Sequence, residues 1–211
     1  MTHKVALLFD KSNNWIYKYF ENYVFDLQNF EIFKFFDADK IYNFDFVFLL
    51  GYSEIIPINF ITRNSLTLVV HESDLPKGKG FSPIQWQLLA NQSKIKISLI
   101  RAQEKVDSGD IFLQKIIKFD GTELYEEIRY KQAMATIDII FSFLKDFPKF
   151  NPIKQTGKAS IFPKRMPKDN ELDIYKSIEQ NFNLLRIGNN EKWPSFFYYK
   201  GTKFILKIYK G

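Results

Sequence analysis

The sequence contains no cysteine. That excludes disulfides, thiol nucleophiles and thiolate metal sites. Histidine is nearly absent too, with only His3 and His71. Two histidines without cysteine make no convincing zinc set, so no metal is expected. No apolar run reaches the roughly 18 residues needed to cross a bilayer. The opening MTHKVALLFDKSN lacks a long apolar core followed by a small-residue cleavage site. Together these features predict a cytoplasmic protein with no membrane partner. No run of five like charges occurs, so the net charge of +6 is scattered over the chain. Scattered lysines make a solvated basic surface. They offer no nucleic-acid stripe and stay compatible with phosphate-bearing substrates. The GxSxG elbow, the P-loop and GxGxxG are all missing.

Aromatic residues are plentiful, and Phe alone accounts for 23 of the 211 positions. They supply a core and leave rings over for stacking on a ligand. Short apolar runs at residues 4–10, 30–37, 45–51 and 66–70 read as strands. The third is apolar on both faces, as a buried parallel strand should be. Asp10 to Asn13 offer caps for a helix running to about Leu27. A short helix is expected from Pro83 to about Gln92, a half-exposed strand over 94–100 and another strand over 111–119. A long helix follows from about Glu123 to Lys145. Strands alternating with helices predict an α/β fold, an open, mainly parallel Rossmann-like sheet with helices on both faces.

Composition changes after residue 150. A proline-rich arm leads to a helix with Leu172, Tyr175, Ile178, Phe182 and Leu185 on one face, stopped at Gly188. A hairpin turning at Lys200-Gly201 closes the sequence. The expected division is a catalytic domain over 1–150 and an arm with a small subdomain over 151–211. The aromatic tail offers a face for a homodimer.

In open α/β sheets, ligands bind beyond the carboxyl ends of the strands. His71 sits past one such end, in HESDLPKGKGFSP. Asp107, in the turn of KVDSGDI, reaches the imidazole if the two strand ends are neighbours. A carboxylate so placed fixes the ring's tautomer and supports its charged form.

HESDLPKGKGFSPIQW resembles the HxSLLPxxxGxxPIQ signature of the folate-dependent formyltransferases, and VDSGDI resembles their LDTGDI-type loop. GYSEIIP stands where that family has its folate loop, and NLLRIGNNEKWPSFFYYKG resembles its element after the last helix. The Asp74 variant of the signature and the FPKRxPxDxELD stretch are similar to bacterial enzymes that formylate nucleotide-linked amino sugars. One departure stands out: Val69 replaces the family's asparagine.

The resemblance implies N10-formyltetrahydrofolate as donor and the primary amine of a nucleotide-linked amino sugar as acceptor, for surface glycan synthesis. It implies His71 and Asp107 as catalytic residues. Gly51, Tyr52, Ser53, Ile55, Ile56, Val106 and Asp110 fall on the donor side. Lys11, Asn13, Trp15, Ser73, Lys77, Gly78, Gly80, Arg186, Trp193 and Phe197 fall on the acceptor side. Other members formylate methionyl-tRNA or a small ribonucleotide amine, and a formyltetrahydrofolate hydrolase is a further alternative. The 60 or so residues beyond Pro152 are few for gripping a tRNA, and no nucleic-acid partner is expected.

Overall fold

A computed structural model describes residues 2–211. Strand β1 (His3–Phe9) reads HKVALLF, and Val5 to Phe9 are all buried. Alternation sends Val5, Leu7 and Phe9 into one core and Ala6 and Leu8 into another, so both faces of the strand are covered. The chain continues through α1 (Tyr17–Phe20), β2 (Phe30–Phe35), β3 (Phe46–Leu50), α2 (Ile58–Thr62) and β4 (Leu66–His71). Next come β5 (Lys79–Gly80), α3 (Pro83–Leu89), β6 (Lys94–Arg101), β7 (Ile111–Lys118) and α4 (Tyr125–Asp146). The last elements are β8 (Ile161–Phe162), α5 (Ile178–Arg186), β9 (Ser195–Tyr199) and β10 (Thr202–Leu206).

Six strands form one sheet in the order β2-β1-β3-β4-β6-β7. The first four are parallel, and β6 and β7 are antiparallel to their neighbours. This is the expected α/β sheet, mainly parallel with helices on both faces. Helix α4 covers one face through Ile137, Ile140, Phe143 and Leu144. Phe143 sits among the rings of Phe46, Phe48, Phe112 and Phe150. Phe60 of α2, with Ile41 and Phe44, covers the other face.

Three local expectations are corrected. The helix expected up to Leu27 is a single turn. Aromatic and β-branched residues are weak helix formers, and here their rings are drawn into the core instead. Phe9 packs against both Tyr17 and Phe20, and Phe20 meets Phe25. Strand β6 is not half-exposed: Ile97 to Ile100 are all buried, because β6 lies between β4 and β7. The last helix starts at Ile178, well after Leu172. Ser177 accepts from Gln180 N and the Gln180 side chain answers, a capping box that fixes the start. Leu172 instead donates its main-chain N–H to Phe196 O at 2.7 Å. The hairpin does turn at Lys200-Gly201.

The proline-rich arm is fastened to the sheet domain. Ile153 exchanges two main-chain hydrogen bonds with Ile111 at the start of β7. Farther on, β8 pairs in parallel with β5, inside the loop that follows His71. Trp86 Nε1 of α3 donates to Pro163 O at 2.8 Å.

Candidate active site

His71 is the last residue of β4, paired with Ser98 of β6. Its ring is held from two sides. Nε2 lies 2.8 Å from the Gly78 carbonyl, which can only accept, so Nε2 carries a proton. Nδ1 faces Asp107 Oδ1 at 3.5 Å. That is longer than a hydrogen bond, so Nδ1 is the uncommitted nitrogen. Both side chains are only 7% exposed, and attraction between carboxylate and imidazolium strengthens where water is excluded.

The loop around this pair is shaped by glycine. Gly78 and Gly80 have φ of +71° and +95°. A Cβ on Gly80 would lie 2.5 Å from the Phe162 carbonyl of β8. Gly80 N donates to Asp107 Oδ2 at 2.8 Å, and Gly78 N donates to Ser160 Oγ at 2.8 Å. Asp107 has φ of +52°. Gln155 Nε2 bonds the carbonyls of Asp107 and Gly109 at 3.0 and 2.9 Å. The arm therefore straps both the histidine loop and the aspartate turn.

His71 and Asp107 line a cavity of about 910 Å³. Its two walls lie on opposite faces of the sheet. One wall carries Tyr52, Ile56, Ile61 and Val69, which pack with the α2-side core. Gly51, Ser53, Ile55 and Val106 complete it, with Ile55 79% and Val106 58% exposed. The other wall carries Asn13, Trp15 and Lys18, then Arg129 and Gln132 of α4, then Arg165, Lys192 and Trp193.

Asp10 braces the first wall. Its carboxylate accepts from the main-chain N–H of Ser12, Asn13 and Ser53 and from the hydroxyls of Ser12 and Ser53. Burial would raise this carboxyl, but those bonds outweigh it and bring it down to about 2. The loops after β1 and β3 are thereby locked together. Next to it, burial and the nearby Glu54 carboxylate push the Tyr52 phenol up to about 12.

Of the residues expected on the donor side, Gly51, Tyr52, Ser53, Ile55, Ile56 and Val106 line the cavity. Ser53 does so with its hydroxyl committed to Asp10. Asp110 does not line it. It lies at the entrance to β7, where its carbonyl accepts from Arg101 N at 2.9 Å.

Among the acceptor-side residues, Asn13, Trp15, Gly80 and Trp193 line the cavity, whereas Lys11 and Lys77 are exposed outside it. Gly78 is buried and serves His71 through its carbonyl. Ser73 is buried beneath the loop, and its carbonyl accepts from Ser98 Oγ at 2.7 Å. Arg186 is 3% exposed and paired with Glu123 at 3.3 Å, an internal ion pair with no free face for phosphate. Burial lowers its pKa, against the pull of Glu123. Phe197 stacks on Phe204 within the hairpin. These placements take Asp110, Lys11, Lys77, Gly78, Ser73, Arg186 and Phe197 out of the lining of the cavity.

Asp10, Gln155, Ser160, Arg129, Gln132 and Arg165 belong to the site but were not read from the sequence. In the sequence Asp10 reads as a helix cap. The others lie far from His71 along the chain, in stretches with no motif of their own.

Residues 11–142, well over half of the chain, match the family model described as formyl transferase. A methionyl-tRNA formyltransferase from Finegoldia magna is 27% identical over 175 residues, covering 81% of this chain and 55% of that protein. The chain thus spans about half the length of such curated relatives. A solved methionyl-tRNA formyltransferase from Clostridium thermocellum superimposes with a TM-score of 0.76 at 23% identity, covering 96% of this chain and 90% of that one. A 4-N formyltransferase from Francisella tularensis gives 0.74 at 16% identity, covering 98% and 97%. Such structural likenesses speak to the fold, but the matched sequence also contains the histidine loop and the aspartate turn that meet in the cavity, and by that match the chain belongs to the formyl transferase family.

Proposed function

We propose that this protein moves a formyl group from N10-formyltetrahydrofolate to the primary amine of a nucleotide-linked amino sugar. One observation carries the reading: a buried His–Asp pair stands between an apolar wall and a cationic wall of one cavity. The apolar wall suits a flat pterin. Ile55 and Val106 are exposed there, and the main-chain N–H groups of Glu54, Ile55 and Ile56 have no partner among the described residues. The donor supplies the one-carbon group. The chain supplies the geometry and takes up the proton.

In this reading the neutral amine nitrogen attacks the formyl carbon, and the bond from that carbon to N10 breaks as N10 takes up the proton that His71 relays from the amine. His71 Nδ1, with Nε2 saturated by Gly78, takes the proton released by the amine. Asp107 steadies the imidazolium that results, as a carboxylate does in other histidine-based sites. Val69 lines the cavity with an apolar side chain where the family's asparagine would donate to the formyl oxygen. The protonated Nδ1 then remains as the donor that the pair itself can offer that oxygen.

The second wall fits a nucleotide diphosphate. Lys18, Lys164, Arg165 and Lys192 reach it, and Trp193 is 49% exposed, enough of a ring for a base to stack on. We read residues 1–150 as the catalytic part and 151–211 as the part that completes the acceptor wall. The exposed Tyr199, Phe204 and Ile205 of the hairpin suit a homodimer, which sedimentation would detect. Methionyl-tRNA is the second reading, favoured by the curated relative above. Against it, the lysines are scattered and form no stripe along which a tRNA backbone could lie.

The test is incubation with N10-formyltetrahydrofolate and a panel of UDP- and dTDP-linked amino sugars, with charged methionyl-tRNA alongside, followed by mass spectrometry. A gain of one formyl group on one sugar is expected. Formylation of the tRNA alone, or release of free formate alone, would overturn the sugar reading.

A further inference from the structure

We propose that Glu72 selects an amine as acceptor by receiving the substrate's ammonium group as an ion pair. This rests on the amino-sugar reading above. Glu72 directly follows His71 and lines the same cavity. Alternation along β4 separates the two: Leu68 and Val70 pack with the α4-side core, Val69 with the α2-side core. His71 and Glu72 therefore approach the cavity from different walls, Glu72 from the α4 side.

The carboxylate is held in place by a chain of groups. Glu72 Oε1 accepts from Gln132 Nε2 at 2.6 Å, and Gln132 Oε1 accepts from Arg129 Nη1 at 2.8 Å. A carboxylate can only accept and a guanidinium can only donate, so the Gln132 amide has one workable orientation. Arg129 is itself fixed, its guanidinium 4.2 Å from the Trp15 ring and 5.2 Å from the Tyr125 ring. The Glu72 main chain is anchored as well, its carbonyl accepting from Gln87 Nε2 at 2.7 Å.

One thing is missing from this arrangement. Among the described residues, no cation pairs with Glu72, and its Oε2 has no hydrogen-bond partner. Of the other carboxylates lining the cavity, Asp107 has His71 and Glu126 has Lys18 at 2.7 Å, while Glu54 and Glu104 also have no cation among the described residues but are exposed to water, as Glu72 is not. A half-buried carboxylate without a counter-ion has lost part of its hydration and regained little. A substrate ammonium would restore the balance, and a hydroxyl in the same place would do so far less well. Such a carboxylate beside the proton-accepting His71 favours amines at the binding stage.

Titration of the full chain, with tetrahydrofolate present, tests this. The probes are UDP- and dTDP-linked amino sugars and their hydroxyl counterparts, measured by calorimetry against wild type, Glu72→Gln and Glu72→Asp. Wild type should prefer the amine about tenfold or more over the hydroxyl. Glu72→Gln, which keeps the shape, should lose that preference while tetrahydrofolate binding is unchanged. Glu72→Asp should retain part of it. Equal amine affinity in wild type and Glu72→Gln would overturn the proposal. So would an equal loss for amine and hydroxyl, which is what a purely structural Glu72 would give. If wild type binds tetrahydrofolate but none of the amino sugars, the amino-sugar reading fails first and this proposal falls with it.

Discussion

The two walls of the cavity are made of different materials. The α2-side wall comes from strand ends and one short loop: Gly51 to Ile56, Val69 and Val106. It is mostly apolar, and besides the exposed Glu54 and Glu104 its polarity lies in main-chain groups and in one buried carboxylate, Asp10, whose oxygens are taken up by hydrogen bonds within the protein. The α4-side wall is assembled from pieces more than a hundred residues apart, from Asn13 to Trp193. Its side chains are charged or aromatic and are fixed by one another, as in the chain Arg129–Gln132–Glu72. A wall of main chain and apolar groups suits one invariant partner. A wall of linked charges suits a partner to be told apart from close analogues, since buried polar groups left unpaired penalise the wrong ligand.

The sharpest way to break this comparison is at the line where the walls meet. His71→Asn and Asp107→Asn should each reduce turnover by about two to four orders of magnitude. Affinity for tetrahydrofolate and for the sugar should hold, because neither wall is altered. Rapid-quench kinetics with parallel binding titrations would check it, and near-normal turnover in both variants would remove the mechanism.

Gly80→Ala attacks the strap that serves both walls. It needs φ of +95° and brings its Cβ within 2.5 Å of the Phe162 carbonyl. Strain of about 1–3 kcal/mol is expected in denaturant unfolding. Turnover should fall as well, since Gly80 N no longer meets Asp107 at 2.8 Å.

Asp10→Asn tests the tie between the loops after β1 and β3. Folded Asp10 lies at about 2, below its ordinary 3.8. Its stabilisation is therefore complete above about pH 4 and is lost as pH falls through about 2. The shift corresponds to about 2 kcal/mol at neutral pH. The stability gap between wild type and Asp10→Asn should be widest at neutral pH and close between about pH 4 and 2. Donor KM should rise, and sugar KM should rise less, through Asn13 alone.

The same contrast governs what could be read from the sequence. Strands announced themselves because an apolar run buried on both faces, such as FVFLL, has few other uses. The α2-side wall was readable because its parts are consecutive residues in a loop of known likeness. His71 and Asp107 were readable because each sits in a distinctive stretch. Helix α1 is shorter than the sequence predicts because ring packing of Tyr17 and Phe20 overrides the capping signals at Asp10. Arg186 is not legible in the sequence because an arginine near a helix end reads the same whether it awaits a phosphate or, as here, is buried against Glu123. Arg165 and Gln155 sit in a proline-rich arm whose path over the sheet no local pattern encodes.

The smallest expected effect falls on the α4-side wall, at Trp193. Its ring is 49% exposed and its carbonyl accepts from Asn170 Nδ2 at 2.7 Å, so the main chain is fixed while the ring is free to stack. Removing the ring takes away a stacking surface and little of the fold. Trp193→Ala should weaken binding of the nucleotide-linked sugar by about 1 kcal/mol, roughly fivefold. Tetrahydrofolate affinity and the melting temperature should stay put. The effect should also persist with the free nucleoside diphosphate, because a base stack does not depend on the sugar's amine. If Trp193→Ala weakens the donor as much as the sugar, the division of the cavity into two independent walls is wrong. If the loss appears with the amino sugar and not with the free nucleotide, the ring touches the sugar, and the base must sit elsewhere on the α4 side.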